Sequence, residues 1–465
     1  MLASLYRTLL IILIKIQLAR LQKAHFSQFG AELPIIIVSG SVGKSSTTLL
    51  IAQLLEQNKI NVITSTTQTK NYNTLSGLAM LLSGQFFSMD AVGRFRGWAK
   101  VLWHIIRVVF SPILLTKKSA FVFEMGVDHQ GEGIQFARIF SHIDILVVTT
   151  ATLEHAFGYS DTFDTKLYNK LKEFLPRSLY LDLENDHFST ILRNSVLENL
   201  RLAPITKTMI VPPHLDSIDN QIIAVTDQKS TFFTAKPQRE IDGNLTVDGK
   251  PLFGGGEYLL PLTFARNHLI LTQIATRFDL ATINLAYLTL PVSRFGKLSG
   301  INHTTVIDST YNSDPASLCG FLDMLEEMIS IAPFHVLVLG EMRELGPSAS
   351  VAHYDILDRL QKILIKHSSI DKIVLIGAEW SQNSLQSHLI FGHTKVTLSL
   401  NSRAVAKDLK TILSPYSWVW CKGSQNTIFC EEVVTALLQN PGDSTKVCRQ
   451  SDTWKKQKDE FFSRI

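Results

Sequence analysis

The sequence predicts an α/β protein with two parallel-sheet units, and three observations support this fold class. The chain has 465 residues, of which 45% are hydrophobic and 18% are charged, which is enough for two or three domains with their own cores. From residue 33 onward, short runs of Ile, Val and Leu alternate with amphipathic stretches of helix length, as in buried parallel strands joined by helices. The alternation restarts near residue 292, which indicates a second α/β unit.

Individual elements follow from these runs. In the first unit the strands are predicted at LPIIIVSG (33–40), INVITS (60–65), SAFVFEMG (119–126) and DILVVTT (144–150), with helices at Lys44–Gln57 and Thr162–Leu175. Residues 205–261 carry Asp-Gly and Gly-Gly-Gly turns and predict short strands with little helix. In the second unit, strands that each precede a helix are predicted near 304–307, 334–340, 372–377, 395–398 and 417–421.

The net charge of +4 is unevenly distributed. Residues 1–31 contain four Lys or Arg residues and residues 91–123 contain six, while neither stretch contains an acid, so the remainder of the chain is net acidic. Such local basic charge favours a local anionic contact over general nucleic-acid binding. The four cysteines form no CxxC pair, which fits reduced thiols in a cytoplasmic protein and disfavours a zinc site or disulfide framework.

The two basic segments leave several interpretations open. Residues 1–32 predict a basic amphipathic helix, which either packs on the body or lies on the inner membrane face. Its longest uncharged apolar run, residues 8–14, is too short for a bilayer span of about 20 residues. In residues 94–118 the apolar side chains fall on one helical face. That helix is packed in the core, lines an anionic substrate site, or contacts a membrane surface.

The strongest motif is Gly40-Ser41-Val42-Gly43-Lys44-Ser45, followed by Ser46, directly after a predicted strand and at the start of a helix. In a phosphate-binding loop, the glycines let backbone N–H groups turn inward, the lysine meets the β/γ-phosphate charge and the adjacent hydroxyl holds Mg²⁺. The sequence therefore predicts a P-loop ATPase domain, although two residues rather than four separate the glycines.

An acidic and an imidazole side chain are predicted at the same sheet edge as this loop. Glu124 ends one buried strand and His155 follows the next, and the carboxyl ends of parallel strands form the ligand-binding edge of such sheets. With Ser45, they would complete a magnesium shell. The alternative is that Glu124 caps a turn and His155 is an ordinary polar residue.

Several segments in the same order resemble the Mur ligases. The ATP-binding domain of that family is similar to GSVGKSST, FEMG and TTATLEH, and its last, Rossmann-like domain is similar to VIDSTYNSDPAS at 306–317. VLGEMRELG at 338–346, His353 and CKGSQNTIFCEEVV at 421–434 resemble the branch that adds D-alanyl-D-alanine to a UDP-muramoyl tripeptide. The resemblance covers about residues 33–440.

This resemblance implies an ATP- and Mg²⁺-dependent carbon–nitrogen ligase of cell-wall precursor synthesis, active as a cytoplasmic monomer. Lys44, Glu124, His155 and Arg294 would be catalytic, and Ser45, Glu124 and His155 would be metal ligands. The remaining implied residues are nucleotide contacts from Gly40 to Ser46 and at Asn267, Arg294, Asp308 and Asn312, substrate contacts at Asn71, Asn73, Lys422 and Ser424, and a carbamylated lysine at Lys170.

The chain also departs from the family pattern. Ser293 replaces a glycine of the family motifs, and Ser309 replaces the second aspartate. Lys170 and Lys166 both fit the carbamylated position poorly. Only about 32 residues precede the loop strand, where the family carries a UDP-sugar-binding domain. The domains expected are 1–32 (helix), 33–292 (ATP-binding), 293–440 (Rossmann-like) and 441–465 (polar tail). Two other functions stay open: a ligase of folylpolyglutamate or cyanophycin type, and a non-catalytic, membrane-associated nucleotide-binding scaffold.

Overall fold

A computed structural model describes most of the chain. The described residues are 2–40, 42–84, 95–112, 115, 118–126, 132–149, 206–211, 230–232, 237–240, 243–247, 250–281, 284–343, 345, 349–381, 395–424 and 428–464. They group into two compact units: Met1–Ala235 with Arg266–Asn284, and Lys236–Ala265 with Leu285–Ile465. Both units are α/β, as the sequence predicts. The predicted helix Thr162–Leu175 lies outside the described residues.

The first unit contains a six-stranded parallel sheet in the order β2-β3-β1-β4-β5-β6. Its strands are β1 (Ile35–Ser39), β2 (Asn61–Thr64), β3 (Ser119–Glu124), β4 (Ile143–Val148), β5 (Thr206–Val211) and β6 (Ser230–Phe232). Its helices are α1 (Leu2–Phe29), α2 (Lys44–Gln57), α3 (Leu75–Ser83), α4 (Phe95–Val109), α5 (Glu132–Ala137) and α6 (Ala265–Arg277). Every residue of β1 and β3 is buried, as expected for Ile-, Val- and Phe-rich central strands covered on both faces.

Helices α1, α3 and α4 pack against one another. At one end of the α1–α4 contact, the Tyr6 ring stacks on the Trp98 ring with centroids 5.1 Å apart. At the other end, the Arg20 guanidinium donates to the carbonyls of Val108 and Ser111. These contacts set α1 and α4 side by side in parallel. The sequence predicts an amphipathic α1, but the structure shows apolar side chains on its exposed face as well as on its buried face.

The second unit contains a six-stranded sheet in the order β10-β11-β15-β12-β13-β14, in which only β10 is antiparallel, and a small antiparallel sheet, β7-β8-β9. The small sheet consists of β7 (Pro237–Arg239), β8 (Leu245–Val247) and β9 (Lys250–Pro251). The large sheet consists of β10 (Gly296–Ser299), β11 (Thr305–Ser309), β12 (His335–Gly340), β13 (Ile370–Ile376), β14 (Lys395–Ser399) and β15 (Trp418–Lys422). The helices are α7 (Pro315–Met328), α8 (Ala349–Lys366), α9 (Ser402–Ile412), α10 (Glu431–Leu437) and α11 (Asp452–Phe462).

The grouping of residues differs from the single boundary near residue 292 that the sequence suggests. The small sheet belongs to the second unit, where the Arg239 guanidinium donates to Glu327 at 2.7 Å and to the carbonyl of Leu260 at 2.8 Å. Residues 441–465, predicted as a polar tail, contain α11, and the Lys458 side chain of that helix is buried. Lys458 is buried because it forms ion pairs, and a charge-rich sequence pattern does not reveal which residues pair.

Candidate active site

The phosphate-loop motif forms the turn between β1 and α2. Gly40 has φ 122° and Gly43 has φ 88°, backbone values that L side chains rarely adopt, which explains glycine at both positions. The Lys44 Nζ donates to the Gly40 carbonyl at 2.8 Å and so spans the loop. Thr149, after β4, donates its hydroxyl to the Val42 carbonyl at 2.7 Å. Ser41 lies outside the described residues.

Glu124 lies beside this loop because of the sheet register. Val38 of β1 is opposite Glu124 of β3, so the loop that follows β1 and the carboxylate share one edge of the sheet. The side chain of Glu124 is 2% exposed. The prediction that Glu124 and the loop meet at the carboxyl edge of the strands agrees with this geometry.

Four neutral groups of the described residues donate to the Glu124 carboxylate. Oε1 accepts from the Ser45 hydroxyl at 3.1 Å and from Asn73 Nδ2 at 3.4 Å. Oε2 accepts from the Thr66 hydroxyl at 2.9 Å and from Asn71 Nδ2 at 2.8 Å. A buried carboxylate with only neutral donors is costly unless a cation compensates its charge. The Ser45 hydroxyl and the carboxylate are oxygen donors of the kind that Mg²⁺ prefers, so these residues fit a magnesium ion.

The structure assigns three further sequence-predicted residues to positions in the first unit. Asn71 also donates to the Ser45 hydroxyl at 3.0 Å, so the two asparagines predicted to contact substrate lie against the metal-ligand candidates. Asn267, on α6, accepts from the Thr47 hydroxyl of α2 at 2.7 Å. His155 and the lysines 166 and 170 lie outside the described residues. Within those residues, no group of three His, Cys, Asp or Glu side chains is arranged to hold a metal.

Sequence reasoning missed Ser65 and Thr66. Thr66 donates to Glu124 Oε2, and the Ser65 hydroxyl accepts from the Glu124 backbone N–H at 2.7 Å. Their signal was available, because the predicted strand INVITS ends with Ser65, and Thr66 follows it at the same sheet edge as Glu124. Sequence reasoning also missed Thr149, which occupies the equivalent position directly after β4.

In the second unit, Asp308 is fully buried near the end of β11. Its Oδ2 accepts from the Ser293 hydroxyl at 2.7 Å, and its Oδ1 accepts from the Thr310 hydroxyl at 2.7 Å and the Thr310 N–H at 3.0 Å. Burial raises the pKa of Asp308 to about 6, although these hydrogen bonds oppose the shift. Ser293, which replaces a family glycine, adopts φ 55° and contributes a hydroxyl to this carboxylate.

Arg294, Asn312, Lys422 and Ser424 all lie in the second unit. Lys422 is the last residue of β15, and Asn312 and Ser424 follow the ends of β11 and β15. The Arg294 guanidinium lies 4.4 Å from the Tyr311 ring centroid, and its buried Nε has no hydrogen-bond partner among the described residues. Lys422 Nζ donates to the Asn312 carbonyl at 2.8 Å, and the Ser424 hydroxyl donates to Asn312 Oδ1 at 3.4 Å. The structure therefore brings Asn312, Lys422 and Ser424 together.

His353 fixes the loop after β12. Its Nε2 accepts from the Met342 N–H at 2.9 Å, which requires its Nδ1 to carry the proton that it donates to the Ala349 carbonyl at 2.7 Å. Burial lowers the pKa of His353, which keeps the ring neutral for this pair of bonds. The backbone at Met342 is thus held by a helix side chain, and the neighbouring Glu341 accepts from Arg343 at 2.7 Å.

The fold of this chain is similar to the fold of solved Mur ligase structures. Among solved structures, MurF from Acinetobacter baumannii is similar over 93% of this chain and 81% of its own, with 16% identity and a TM-score of 0.62. MurF ligase from Thermotoga maritima in complex with ADP is similar over 96% of this chain and 84% of its own, with 15% identity and a TM-score of 0.56.

A folylpolyglutamate synthase/dihydrofolate synthase from Yersinia pestis CO92 is similar over 92% of this chain and 93% of its own, with 14% identity and a TM-score of 0.51. At these identities the likeness establishes a shared fold. No protein-family model and no curated protein matches the sequence.

Glu124→Gln tests the metal site, because it removes the charge and keeps the shape of the side chain. We expect it to weaken Mn²⁺ binding, measured by calorimetry with ADP present, by at least about tenfold, or about 1.4 kcal/mol. Glu32→Gln changes an exposed carboxylate, 60% accessible, of the same unit and should leave the affinity unchanged. Equal Mn²⁺ affinity in the Glu124→Gln variant and the unaltered protein would exclude Glu124 as a ligand.

The raised pKa of Asp308 predicts that the free energy of unfolding depends on pH. Between about pH 4 and pH 6 the folded protein retains a proton that the unfolded chain has released, so the free energy of unfolding falls as pH rises through this window. Asp308→Asn removes that titration. Relative to the unaltered protein, the variant should gain stability in urea denaturation as pH rises from 4 to 7, by up to about 2–3 kcal/mol. A stability difference independent of pH would contradict the buried, protonated carboxyl.

Proposed function

We propose that this protein is an ATP- and Mg²⁺-dependent ligase that joins D-alanyl-D-alanine to a UDP-muramoyl peptide in peptidoglycan precursor synthesis. The observation that carries the proposal is the buried Glu124 carboxylate beside the Lys44 loop, with the Ser45 hydroxyl as its donor. A nucleotide-binding scaffold needs the loop alone. A buried carboxylate without a cationic donor is costly, and a metal ligand provides a reason to keep it.

The residues of the first unit have distinct roles in this proposal. Lys44 binds the β- and γ-phosphates of ATP, together with the backbone N–H groups of the loop. Ser45, Glu124 and His155 hold Mg²⁺, which neutralises phosphate charge when it is bound. Asn71 and Asn73 orient the Glu124 carboxylate, and they are also the candidate contacts for the acid substrate. Lys170 is the candidate for carbamylation.

The second unit supplies the remaining proposed contacts. Arg294 binds the γ-phosphate, which suits its buried Nε, an atom with no hydrogen-bond partner among the described residues, and Asp308 and Asn312 contact the nucleotide. Lys422 and Ser424, which both donate to Asn312, border the site of the incoming amine. The same proposal includes an ATP-binding domain at residues 33–292 and a Rossmann-like domain at residues 293–440.

The proposed reaction has two steps. A carboxylate oxygen of the muramoyl peptide attacks the γ-phosphorus of ATP, which forms an acyl phosphate and releases ADP. The amine of D-alanyl-D-alanine then attacks the acyl carbon, and the resulting tetrahedral species expels phosphate while the amine loses a proton. Positioning and charge neutralisation dominate such a phosphoryl transfer.

The structural comparisons support the proposal of this substrate pair over others. TM-scores to the two MurF structures, 0.62 and 0.56, exceed the 0.51 to the folylpolyglutamate synthase. The MurF structure from Thermotoga maritima is a complex with ADP, which supports the proposal of nucleotide use here. A folylpolyglutamate-type or cyanophycin-type ligase is the alternative, and it would use the same loop and the same carboxylate with a different acid and amine.

ADP release tests the proposed activity. With ATP, Mg²⁺ and UDP-muramoyl tripeptide, release should depend on D-alanyl-D-alanine. Lys44→Ala should reduce turnover by at least about 100-fold, or roughly 2.7 kcal/mol, because the β/γ-phosphate contact is lost. Lys362→Ala, at an exposed lysine of α8, is the matched control. ATP hydrolysis that is indifferent to both substrates would contradict the substrate assignment, and full activity of Lys44→Ala would contradict the loop assignment.

We also propose that the protein works as a cytoplasmic monomer that contacts the inner membrane face peripherally through residues 1–25 and 94–118. Leu5, Leu9, Ile12 and Ile16 recur at helical spacing and form one stripe on α1, each between 37% and 65% exposed. On the neighbouring α4 segment, Trp103 is 64% exposed and Phe110 is 82% exposed.

The charge around this apolar surface identifies its proposed partner as an anionic lipid bilayer. Among the side chains of the two segments that the structure describes, the exposed charged ones are all basic: Arg7, Lys15, Lys23, Lys100, Arg107 and Lys118. Basic residues beside an exposed apolar stripe with tryptophan suit a helix that lies in the lipid headgroup region. Within the described part of the chain, no helix combines the length and apolarity needed to cross a bilayer.

Vesicle co-sedimentation tests this contact. The protein should bind phosphatidylglycerol vesicles more tightly than phosphatidylcholine vesicles. Replacing both Ile12 and Ile16 with Ser should weaken binding by at least about tenfold, since burying one aliphatic side chain is worth about 1.5–3 kcal/mol. The control replaces Ile365 and Ile412, exposed apolar residues of the second unit. Unchanged binding of the α1 variant, or dissociation of a dimer by the same changes, would overturn the proposal.

A further inference from the structure

We infer that the C-terminal segment 448–458 positions the nucleotide-contact residues of the second unit, with Arg449 as the positioning residue for Arg294. The inference rests on the proposed function, in which Arg294 and Asp308 contact ATP. It gives a role in that reaction to a part of the chain that the family resemblance, which ends near residue 440, does not cover.

Arg449 binds the backbone directly after Asp308. Its Nη2 donates to the Tyr311 carbonyl at 2.6 Å, and its Nη1 donates to the Thr310 carbonyl at 3.3 Å. The guanidinium carbon also lies 5.5 Å from the centroid of the Tyr311 ring. One planar guanidinium thus fixes both the main chain and the ring of this turn, a geometry that lysine does not reproduce.

Tyr311 links Arg449 to Arg294. The Arg294 guanidinium lies 4.4 Å from the centroid of the same ring. Because this is a cation–π contact, the orientation of the ring determines the position of the Arg294 guanidinium. Among the described contacts of Arg294, this aromatic face is the one that positions its guanidinium. A displaced Tyr311 would therefore displace the guanidinium proposed to bind the γ-phosphate.

The residue before Arg449 holds the other side of the same site. The Cys448 N–H donates to the Ser293 hydroxyl at 2.8 Å, and that hydroxyl donates to Asp308 Oδ2 at 2.7 Å. Ser293 immediately precedes Arg294. Two consecutive residues of the C-terminal segment are thus connected to Asp308, to Tyr311 and to the backbone beside Arg294.

Buried ion pairs anchor the segment itself. Glu431, with no exposed side-chain surface, lies 3.2 Å from Arg449 Nη1 and 3.1 Å from Lys458 Nζ. Lys458 is 1% exposed and also contacts Glu432 at 2.9 Å. Removing one partner of such a cluster leaves a buried charge unpaired and is strongly destabilising. A useful test therefore keeps the positive charge at residue 449.

The test is a double-mutant cycle on ADP release with both substrates present. Arg449→Lys keeps the charge beside Glu431 but loses the two-carbonyl contact, and should lower kcat about tenfold, or about 1.4 kcal/mol. Arg294→Ala should lower kcat further. If Arg449 acts through Arg294, the double variant should be no slower than Arg294→Ala alone. Lys455→Ala, which removes an exposed ion pair of the same helix α11, should leave kcat unchanged.

Losses that multiply in the double variant, with urea denaturation showing all variants folded, would overturn the inference and reduce the segment to a stabilising one. Unchanged kcat in Arg449→Lys would overturn it as well. Either result with an active unaltered protein leaves the ligase proposal standing. Absence of substrate-dependent ADP release in the unaltered protein would instead refute the proposed function itself.

Discussion

Glu124 carries a carboxylate that is 2% exposed and receives hydrogen bonds from Ser45, Thr66, Asn71 and Asn73, all neutral donors. This arrangement links three segments of the first unit: the phosphate loop, the turn after β2 and the end of β3. The sheet register sets it, because Val38 and Glu124 are paired across β1 and β3. A buried charge held in this way is costly without a cation, which is the basis of the metal site proposed at this edge of the sheet.

The second unit is organised around a similar constraint. Asp308 is buried beside Ser293 and Thr310, and burial raises its pKa to about 6. Ser293 adopts a left-handed backbone that favours glycine, yet its hydroxyl bridges Asp308 and the Cys448 N–H. The departure from the family glycine is therefore accommodated by a hydrogen bond that glycine lacks. The same bridge connects the C-terminal segment to the site.

The fold was predictable from hydrophobic pattern alone. Unbroken apolar runs predicted β1, β3 and β4, and glycine spacing predicted the loop before α2, because both signals are local in sequence. The pairing of Asn267 with Thr47 and the clustering of Asn71 with Glu124 depend on contacts between distant segments. Family resemblance singled out those asparagines, but the structure supplies their partners.

The sequence suggested a polar tail at residues 441–465 and did not identify the contacts of its charged side chains. In the structure, Arg449 and Lys458 are buried against Glu431. Burial of a charged residue depends on its partner, and no periodic pattern reveals that partner. For the N-terminal helix the sequence left two interpretations open, packing on the body and contact with a membrane face, and the structure shows apolar side chains of α1 that are buried and others that are exposed.

The central claim is that a substrate carboxylate is activated by the γ-phosphate of ATP. Isotope transfer tests it most directly: the muramoyl peptide is labelled with ¹⁸O in its terminal carboxylate, and the released phosphate is analysed by mass spectrometry after turnover with D-alanyl-D-alanine. Acyl-phosphate chemistry predicts one ¹⁸O atom in each phosphate formed. Phosphate without label, released together with ADP, would show that water attacks ATP and would contradict the account.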